Sequence, residues 1–422
     1  MTRFAYALAW LLATPAILVR LAWRARRQRG YLERIGERFG RYERVAARPC
    51  IWIHAVSVGE TRAAAPIVEA LRERHPDDPI LVTHMTPTGR ATGAALFGEG
   101  VERAWLPYDY GFAVRRFIAS FRPRIGIILE TEIWPRLLEE CARAGIPVVL
   151  ANGRLSERSA RNYARFPAVA RWAFANLAGV AAQTQADARR FIALGAREVA
   201  VTGNVKFDVS IPEAMLDAGA AFRARFGRDR PVWVAGSTRE GEEALLLDAF
   251  AALPGAEDAL LVIVPRHPQR FEEVRALAAS RGFGVARRSD PGTVDAGVRV
   301  VVGDSMGEML AYYAAADVVV MGGSLLPFGS QNLIEACAVG RPVIVGPSTY
   351  NFEEASESAI AAGAALRVRD AGEALAAAAA LGRDAARRKA MGGKALAFVD
   401  AHRGAVRRLA EWLEPRLGAA RS

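Results

Sequence analysis

The chain predicts two α/β domains of similar size, each built on a parallel β-sheet covered by helices on both faces. Short runs of consecutive apolar residues alternate with helix-like stretches, the pattern of strands buried on both faces. This alternation stops over 207–230, where no strand-like run occurs, and then begins again. A length of 422 residues fits two or three domains of about 150 residues. The sequence therefore predicts two Rossmann-like domains that face each other across a cleft.

The predicted strands form two series, one on each side of 207–230. All are short runs rich in Val, Ile, Leu and Ala. The first series is 51–55, 80–84, 125–129, 147–151, 179–182 and 198–202, and the second is 231–235, 259–264, 298–302, 317–321 and 342–345.

Five segments follow from this pattern. The predicted segments are 1–30 as a membrane anchor with a basic flank, 31–210 as the first domain, 211–230 as a linker, 231–395 as the second domain, and 396–422 as a terminal helix that can pack back on the first domain.

The N-terminal segment combines an apolar run with a basic flank. Residues 4–19 (FAYALAWLLATPAILV) are apolar, although 16 residues are fewer than the about 20 that span a bilayer. Eleven Arg and three Glu give residues 1–48 a charge of +8 out of the total of +11. This local surplus favours a membrane surface and disfavours nucleic acid as a partner. Basic residues that follow the apolar run place the rest of the chain on the cytoplasmic side. A spanning helix, an interfacial helix and a buried N-terminal helix all remain open.

The cysteines give no sign of a metal centre. Cys50, Cys141 and Cys337 are far apart, with no CxxC pair and no metal-ligand spacing. This usage is typical of a reducing compartment. Neither a metal nor a cofactor is predicted.

One carboxylate follows the first predicted strand. In IWIHAVSVGE (51–60), the strand ends at a small-residue turn, and Glu60 stands where a helix begins. Ligands of open α/β sheets bind beyond the carboxyl ends of the strands. Glu60 can therefore act as a general base, and the alternative is a helix N-terminal Glu that favours the helix dipole.

Small-residue loops follow several strands of the second series. Such loops leave backbone N–H groups open, and Arg266 in PRHP suits a phosphate or carboxylate. Together they predict a nucleotide site that is not of the dinucleotide GxGxxG type. The loops are AGSTREGE (235–242), PRHP (265–268), GDSMGE (303–308), GGS (322–324) and GSQNLIE (329–335).

These motifs, in this order, resemble those of the 3-deoxy-D-manno-oct-2-ulosonic acid (Kdo) transferases over nearly the whole chain. The matching segments also include GERFG (36–40), ETEIWP (130–135), NGRLSERS (152–159) and TGNVKFD (202–208). The resemblance implies a GT-B glycosyltransferase, a CMP-Kdo donor and the lipid A precursor lipid IVA as acceptor. It also implies inversion at the Kdo anomeric carbon, a role in lipopolysaccharide biosynthesis, and the cytoplasmic face of the bacterial inner membrane.

The resemblance gives Glu60 the general-base role. Two further catalytic candidates come from the residues themselves: Glu132 follows a buried strand, where it can orient a catalytic group or cap the next helix, and Lys206 is a lysine in a chain that uses arginine almost everywhere, with chance codon usage as the alternative. Lys206, one of only three lysines, can meet the Kdo carboxylate or an acceptor phosphate. Four arginines are candidates for lining the acceptor groove, with solvated helix charges as the alternative: Arg62, Arg90, Arg154 and Arg158.

The donor-binding candidates lie in the loops of the second domain. For His267 the alternative is a plain turn residue, and for Asn332 a plain N-cap. The set is Ser237, Arg239, Arg266, His267, Met306, Gly307, Glu308, Ser324, Asn332 and Glu335. Two rival functions remain: a membrane-associated GT-B transferase that uses a UDP-sugar, and a non-catalytic nucleotide-sugar binding protein.

Overall fold

The computed structural model describes residues 2–43 and 46–419. The chain divides into two compact units. The first unit comprises the described residues of 1–208 and of 403–422, and the second unit comprises 209–402.

The first unit contains a seven-stranded parallel sheet. Its strands are β1 (Cys50–His54), β2 (Ile80–His84), β3 (Glu102–Trp105), β4 (Pro123–Leu129), β5 (Val148–Gly153), β6 (Gly179–Ala182) and β7 (Val199–Val201). Its first helices are α1 (Thr2–Arg27), α2 (Val58–Arg74), α3 (Pro87–Phe97), α4 (Gly111–Phe121), α5 (Pro135–Arg143), α6 (Glu157–Ala164), α7 (Pro167–Phe174) and α8 (Gln185–Ala193). The strand order is β3-β2-β1-β4-β5-β6-β7. This confirms the parallel α/β sheet that the apolar runs predict.

Side-chain caps begin the helices that follow β1, β2, β5 and β6. Each cap is a Ser or Thr whose hydroxyl oxygen accepts a hydrogen bond from the backbone N–H three residues later, which satisfies one orphan donor of the first turn. The caps are Ser57, Thr86, Ser156 and Thr184. Hydroxyl residues at the strand ends therefore fix where each loop turns into helix.

The core of the first unit lies on both faces of β1 and β4. Every residue of both strands is buried. Trp52 of β1 is fully buried, and its indole N–H donates to Thr83 Oγ1 at 2.8 Å. Gly126 of β4 accommodates this ring, because a Cβ at that position would lie 2.7 Å from it.

The second unit repeats the same architecture. Its strands are β8 (Val232–Thr238), β9 (Leu260–Pro265), β10 (Gly284–Arg287), β11 (Val298–Val302), β12 (Val318–Met321), β13 (Val343–Val345) and β14 (Ala365–Arg367). Its helices are α9 (Glu213–Phe226), α10 (Glu242–Ala252), α11 (Phe271–Ser280), α12 (Met309–Ala315), α13 (Leu333–Ala338), α14 (Glu353–Ala361), α15 (Ala371–Arg383) and α16 (Ala385–His402). All strands pair in parallel, in the order β10-β11-β9-β8-β12-β13-β14.

The structure corrects the prediction that 211–230 is a linker. Most of it forms α9, which belongs to the second unit. Gly219 of α9 lies so close to α12 that a Cβ would meet the Ala314 Cβ at 2.5 Å. Phe222 packs on the ring of Tyr312, with ring centroids 5.1 Å apart. The stretch lacks strands because it is a helix that covers this sheet.

The C-terminal helix α17 (Ala405–Ala419) returns to the first unit. The Asp208 carboxylate accepts the backbone N–H groups of Gly404 and Val406, each at 2.5 Å, and so holds the start of the helix. Leu413 is fully buried, and Trp412 lies against β6 at Gly179. The second unit therefore extends to His402 rather than to 395, and the returning segment begins at 403.

Helix α1 packs along its length on the first unit through one face. That face carries Tyr6, Trp10 and Thr14, followed by the buried Leu21 and Ala25. By length and composition, 3–26 is the one stretch among the described residues that can cross a membrane. Only 6% of its most apolar window is buried, so it is not a core helix of the unit.

Polar and aromatic contacts hold α1 in place. The Tyr6 hydroxyl donates to Asp109 Oδ2 at 2.7 Å, and Thr14 Oγ1 lies 2.6 Å from the Tyr110 hydroxyl. Trp10 stands edge-on to Tyr110 at 5.4 Å between ring centroids. These contacts tie a helix of membrane-like composition to the loop that follows β3.

Candidate active site

The first unit has a topological switch point between β1 and β4. These strands are neighbours in the sheet, and the connections that leave them lead to opposite sides of it. Ligands of open α/β folds bind in the crevice that such a reversal opens at the carboxyl ends of the strands. Glu60 follows β1, and Glu130 and Glu132 follow β4. The fold therefore brings three carboxylates to one crevice.

Glu60 is held in one orientation by the start of α2. Its Oε2 accepts the backbone N–H of Val56 at 2.7 Å, and its Oε1 accepts the Ser57 hydroxyl at 3.0 Å. Ser57 in turn caps the backbone N–H of Glu60. This is close to a capping box, so the structural role proposed for Glu60 is present. The carboxylate is only partly exposed, and its geometry is set before any ligand binds.

The surroundings of Glu60 favour a proton acceptor that works near neutral pH. Burial raises the pKa of Glu60 to about 7. The hydrogen bond from Val56 opposes this shift, whereas the nearby charges of Glu130 and Glu132 add to it. A general base is most effective when its pKa lies near the working pH. Glu60 thus has both the position and the proton affinity of a base.

Lys206 forms an ion pair with Glu130. The two lie 76 residues apart in the chain, and Lys206 Nζ is 2.6 Å from Glu130 Oε1. Glu130 adopts a left-handed backbone conformation with φ of 60°, which a non-glycine residue adopts only under constraint. Lys206 therefore brings its positive charge to the same loop as the acidic candidates.

Glu132 connects this loop to α1. Its Oε2 accepts the indole N–H of Trp134 at 3.1 Å, and the Trp134 ring lies 6.0 Å from that of Trp10. Burial, followed by the charge of Glu130, raises the pKa of Glu132. The predicted pair of Glu60 and Glu132 thus shares one crevice.

The four arginines expected at the acceptor groove occupy different settings. Arg62 and Arg158 are exposed on α2 and α6, and Arg154 is partly buried after β5. Arg90 lies over the ring of Trp105 at 5.1 Å, where burial lowers its pKa. All four follow the carboxyl ends of strands, and Arg90 has its aromatic partner within the unit.

The second unit has its own switch point, between β8 and β12. Ser237 lies at the end of β8 with a left-handed φ of 56°, and the Gly322–Ser324 turn follows β12. A Cβ on Gly322 would meet the carbonyl oxygen of Ser237 at 2.4 Å. Only glycine permits the two loops to approach so closely. Ser237 is partly exposed at this junction.

Glu242 fastens these two loops together. It is fully buried, and its Oε2 accepts the backbone N–H groups of Arg239 at 2.8 Å and Gly323 at 2.6 Å. Its Oε1 accepts the N–H of Leu325 at 3.0 Å. Helix α10 begins at Glu242, so this carboxylate belongs to the first residue of the helix. A carboxylate of the chain itself occupies those amide groups.

Arginine side chains supply the positive charge at this switch point. Arg239, Arg266 and Arg270 lie close enough to His267 that their charges, after burial, lower its pKa. The backbone N–H of Arg266 donates to the carbonyl of Thr238 at 3.0 Å, which ties the loops after β8 and β9 together. Sequence reasoning missed Arg270. Its side chain pairs with the buried Glu243 at 2.7 Å.

The 303–308 loop presents mixed features. Met306 is 54% exposed, and Gly307 has a left-handed φ of 84°. Glu308 accepts a hydrogen bond from Arg288 at 2.5 Å, so its carboxylate already has a cationic partner. The exposed Met306 and the backbone of Gly307 are the parts of this loop most open to a ligand.

Asn332 and Glu335 form a pair at the start of α13. Asn332 Oδ1 accepts the backbone N–H of Ile334 at 3.2 Å, so Asn332 is the N-cap of α13. Its amide donates to Glu335 Oε1 at 3.0 Å, and both side chains are partly exposed. The side chain of Ser324 differs: it is fully buried, donates to the Met321 carbonyl and accepts the Gly346 N–H. The expectation that the Ser324 hydroxyl contacts the donor is therefore corrected.

Two buried carboxylates that have no role assigned from sequence brace the loops of the candidate sites. Asp109 accepts the backbone N–H groups of Arg136 at 3.0 Å and Leu137 at 2.7 Å, and thereby orients the start of α5, which follows Glu132. Glu242 joins the loops after β8 and β12. No local pattern predicts these contacts, because Asp109 and Arg136 lie 27 residues apart and Glu242 and Gly323 lie 81 residues apart.

Comparisons with known proteins identify the family of the chain. A family model described as 3-deoxy-D-manno-octulosonic-acid transferase (kdotransferase) matches residues 33–209. The 3-deoxy-D-manno-octulosonic acid transferase of Bordetella pertussis is 47% identical over 99% of this chain and 100% of its own length. The enzyme of the same name from Haemophilus influenzae is 35% identical over 99% of both chains.

Solved structures share the two-unit architecture. HepE of Anabaena, in complex with UDP, superposes with a TM-score of 0.58 over 88% of this chain and 100% of that chain, at 16% identity. That likeness concerns the fold, which is GT-B. With two near full-length relatives above 30% identity, the chain belongs to the 3-deoxy-D-manno-octulosonic acid transferase family of glycosyltransferases.

Proposed function

We propose that this protein transfers Kdo from CMP-Kdo to the lipid A precursor lipid IVA, in lipopolysaccharide biosynthesis, at the cytoplasmic face of the bacterial inner membrane. The proposal rests on one observation above the others: Glu60 lies at a switch point with its pKa raised to about 7. The two relatives reported above are named Kdo transferases, and the chain matches 100% and 99% of their lengths. This match supports Kdo as the donor sugar.

Glu60 is the general base of the proposed reaction. Its carboxylate takes the proton of an acceptor hydroxyl as that oxygen bonds to the Kdo anomeric carbon. The bond from that carbon to the CMP phosphate oxygen breaks on the opposite side, its electrons leave with the phosphate, and the configuration inverts. A phosphate leaves without being protonated, so the reaction needs no second carboxyl group as acid, unlike a typical glycosidase. Buried near other carboxylates, Glu60 binds a proton strongly enough to act at neutral pH.

Lys206 and Glu132 assist from the same loops. The Lys206 ammonium, already 2.6 Å from Glu130, offsets the acidic charge of the crevice and can hold an anionic group of substrate. The negative charge of Glu132 contributes to the raised pKa of Glu60. Arg62, Arg90, Arg154 and Arg158 remain candidates for the acceptor phosphates.

The second unit binds the CMP part of the donor. Arg239 and Arg266 offer positive charge to the departing phosphate, and His267 lies near both of them. Glu335 can accept hydrogen bonds from ribose hydroxyls while Asn332 positions it through their 3.0 Å contact. Ser237, Met306, Gly307 and Glu308 complete the proposed contacts.

The test compares Glu60→Gln with wild type in Kdo transfer from CMP-Kdo, generated in situ, to lipid IVA, followed by mass spectrometry. We expect the variant to lose roughly 100- to 10,000-fold in rate, the usual contribution of a general base. Gln keeps an oxygen that can accept the Val56 N–H, so the start of α2 should persist.

The matched control is Glu69→Gln, an exposed glutamate on the same helix. It should transfer Kdo at the wild-type rate, and both variants should bind CMP as wild type does. Equal activity of Glu60→Gln and Glu69→Gln would overturn the assignment of the base. Absence of transfer by well-folded wild type would overturn the proposed reaction.

A further inference from the structure

A groove within the first unit lies between α1 and the α6–α7 pair. Its volume is about 1200 Å³, above the roughly 300–1,000 Å³ of typical small-ligand pockets. Four residues of α1 line it, and Ile133, Pro135 and residues of the α6–α7 pair line the rest. The residues of α1 are Phe4, Ala5, Tyr6 and Ala9, and those of the α6–α7 pair lie at 159, 162, 163 and 165–170. We call it the α1–α7 groove.

The α1–α7 groove presents mainly apolar groups. Phe4 and Phe166 are large apolar side chains that stay 75% and 69% exposed beside it. Two of its polar groups are already engaged: the Tyr6 hydroxyl bonds to Asp109, and Ser159 accepts from Ser156. An apolar groove of this size, left open to solvent, indicates a binding site for an apolar ligand.

The groove continues into the proposed catalytic loop. Ile133 and Pro135 line it, and Glu132 immediately precedes Ile133 in the chain. Tyr163, another lining residue, lies near enough to Glu132 that this charge, after burial, raises its pKa. A molecule whose apolar part fills the groove therefore has its polar part close to the carboxylates.

The outer face of α1 indicates the source of the ligand. Phe4 is exposed at the groove, and Leu8, Leu11, Leu12 and Val19 are exposed along the rest of the helix. Exposed apolar rows on such a helix enter the acyl region of a bilayer. Arg165 lies exposed at the groove, where a cation suits an anionic head group.

We propose that the α1–α7 groove binds a fatty acyl chain of the acceptor lipid and thereby sets which hydroxyl reaches Glu60. This inference rests on the proposed function and adds to it a specificity site built partly from α1. The occupant is the chain of the substrate itself, not a chain of a bulk membrane phospholipid.

The test fills the groove with tryptophan at two exposed alanines that line it, Ala9→Trp on α1 and Ala168→Trp on α7. The matched controls are Ala7→Trp on α1 and Ala175→Trp at the residue that follows α7, two exposed alanines that do not line the groove. Transfer is measured in detergent micelles, with tetra-acylated acceptor and with the same phosphorylated disaccharide stripped of its chains.

Wild type should prefer the acylated acceptor. Ala9→Trp and Ala168→Trp should raise the KM for the acylated acceptor about tenfold and so reduce the preference for it over the stripped acceptor. Tenfold is the scale on which one or two methylenes discriminate in an apolar pocket. The controls should keep the wild-type KM. In parallel, an acceptor analogue with a photoreactive acyl chain should label peptides from 162–170 in wild type and much less in the two groove variants.

Three results would overturn the inference. One is an unchanged preference in Ala9→Trp and Ala168→Trp. The second is a loss of binding to phospholipid vesicles by these variants with no change in preference, which would assign the groove to bulk lipid. The third is labelling that avoids 162–170. Failure of wild type to transfer Kdo to either acceptor overturns the proposed function instead, and the labelling then decides the groove separately.

Discussion

At the scale of single residues, Glu60 combines two roles that usually exclude each other. Its carboxylate caps the start of α2 through Val56 and Ser57, which holds it still. Burial and the neighbouring charges of Glu130 and Glu132 raise its pKa to about 7, which keeps it able to accept a proton. An immobile carboxylate loses little entropy when a substrate hydroxyl arrives.

The pH dependence of transfer should report this carboxylate. Since the proposed base, Glu60, can accept a proton only when it is ionised, the rate should fall about tenfold for each pH unit below 7. Glu132→Gln removes a charge that raises the Glu60 pKa, so the acidic limb should move to lower pH. Rates measured from pH 5 to 9 check this. The control Glu69→Gln should leave the acidic limb in place. An acidic limb that also stays in place in Glu132→Gln would contradict the prediction.

The ion pair of Lys206 predicts the opposite shift. Lys206→Met leaves the charge of Glu130 without the ammonium 2.6 Å away, and Glu130 raises the pKa of Glu60. The acidic limb should therefore move to higher pH, as measured by the same rate profile. Lys389→Met, which removes an exposed lysine of α16, serves as the control and should leave the profile unchanged. An unmoved limb in Lys206→Met would show that the pair does not act on Glu60.

Sequence reasoning found Glu60 but not its environment. A strand, a small-residue turn and a carboxylate form a local pattern that can be read from ten residues. The contact of Glu130 with Lys206 joins positions 76 residues apart, and no local pattern encodes it. Lys206 could be selected by residue type, because lysine is rare in this chain. That Glu130 is its partner is visible only in the folded structure.

At the scale of elements, the loops of the second unit depend on one buried carboxylate. Glu242 accepts three backbone N–H groups from the loops after β8 and β12. The shape of the proposed donor site therefore depends on a carboxylate of the chain itself, and Arg239 and Arg266 supply its positive charge.

Glu242→Gln should loosen this site. One carboxylate oxygen becomes an NH₂ group that faces a backbone N–H, and an unsatisfied buried donor costs about 1–3 kcal/mol. The free energy of unfolding, measured in urea, should fall by this amount, and CMP should bind more weakly by calorimetry. Glu240→Gln, an exposed neighbour, should change neither quantity. Identical behaviour of the two variants would contradict the bracing role.

Sequence patterns predicted the inner strands better than the outer ones. The three strands absent from the predicted series, β3, β10 and β14, each lie at an edge of a sheet. An edge strand has one neighbour and is less buried, so charged residues such as Glu102 and Arg367 enter it and break the apolar run. Helix α9 was also predicted as a linker, because a helix of mixed composition resembles a linker in sequence.

At the scale of the whole molecule, the two units are not two consecutive pieces of chain. The first unit is complete only with 403–422, whose helix α17 buries Leu413 and Leu417 and sets Trp412 against Gly179. The sequence predicted a terminal helix able to return, but the start of α17 at Ala405 depends on the Asp208 carboxylate, which accepts the N–H groups of Gly404 and Val406.

The returning helix should carry much of the stability of the first unit. Leu413→Ala should lower the free energy of unfolding by about 2–5 kcal/mol, because a fully buried leucine leaves a cavity. Leu216→Ala, at a leucine 44% exposed on α9, should change it by no more than about 0.5 kcal/mol. Urea unfolding checks both, and equal effects of the two substitutions would contradict the role given to α17.

The return of α17 also sets an order of events during synthesis. The apolar helix α1 precedes the second unit in the chain, and the segment that completes the first unit follows all of 209–402. At about 5–20 residues per second, synthesis of 209–402 takes roughly 10–40 s, during which the surface that α17 covers stays bare. The second unit is continuous and can fold before α17 is made, whereas the first unit acquires this helix only afterwards.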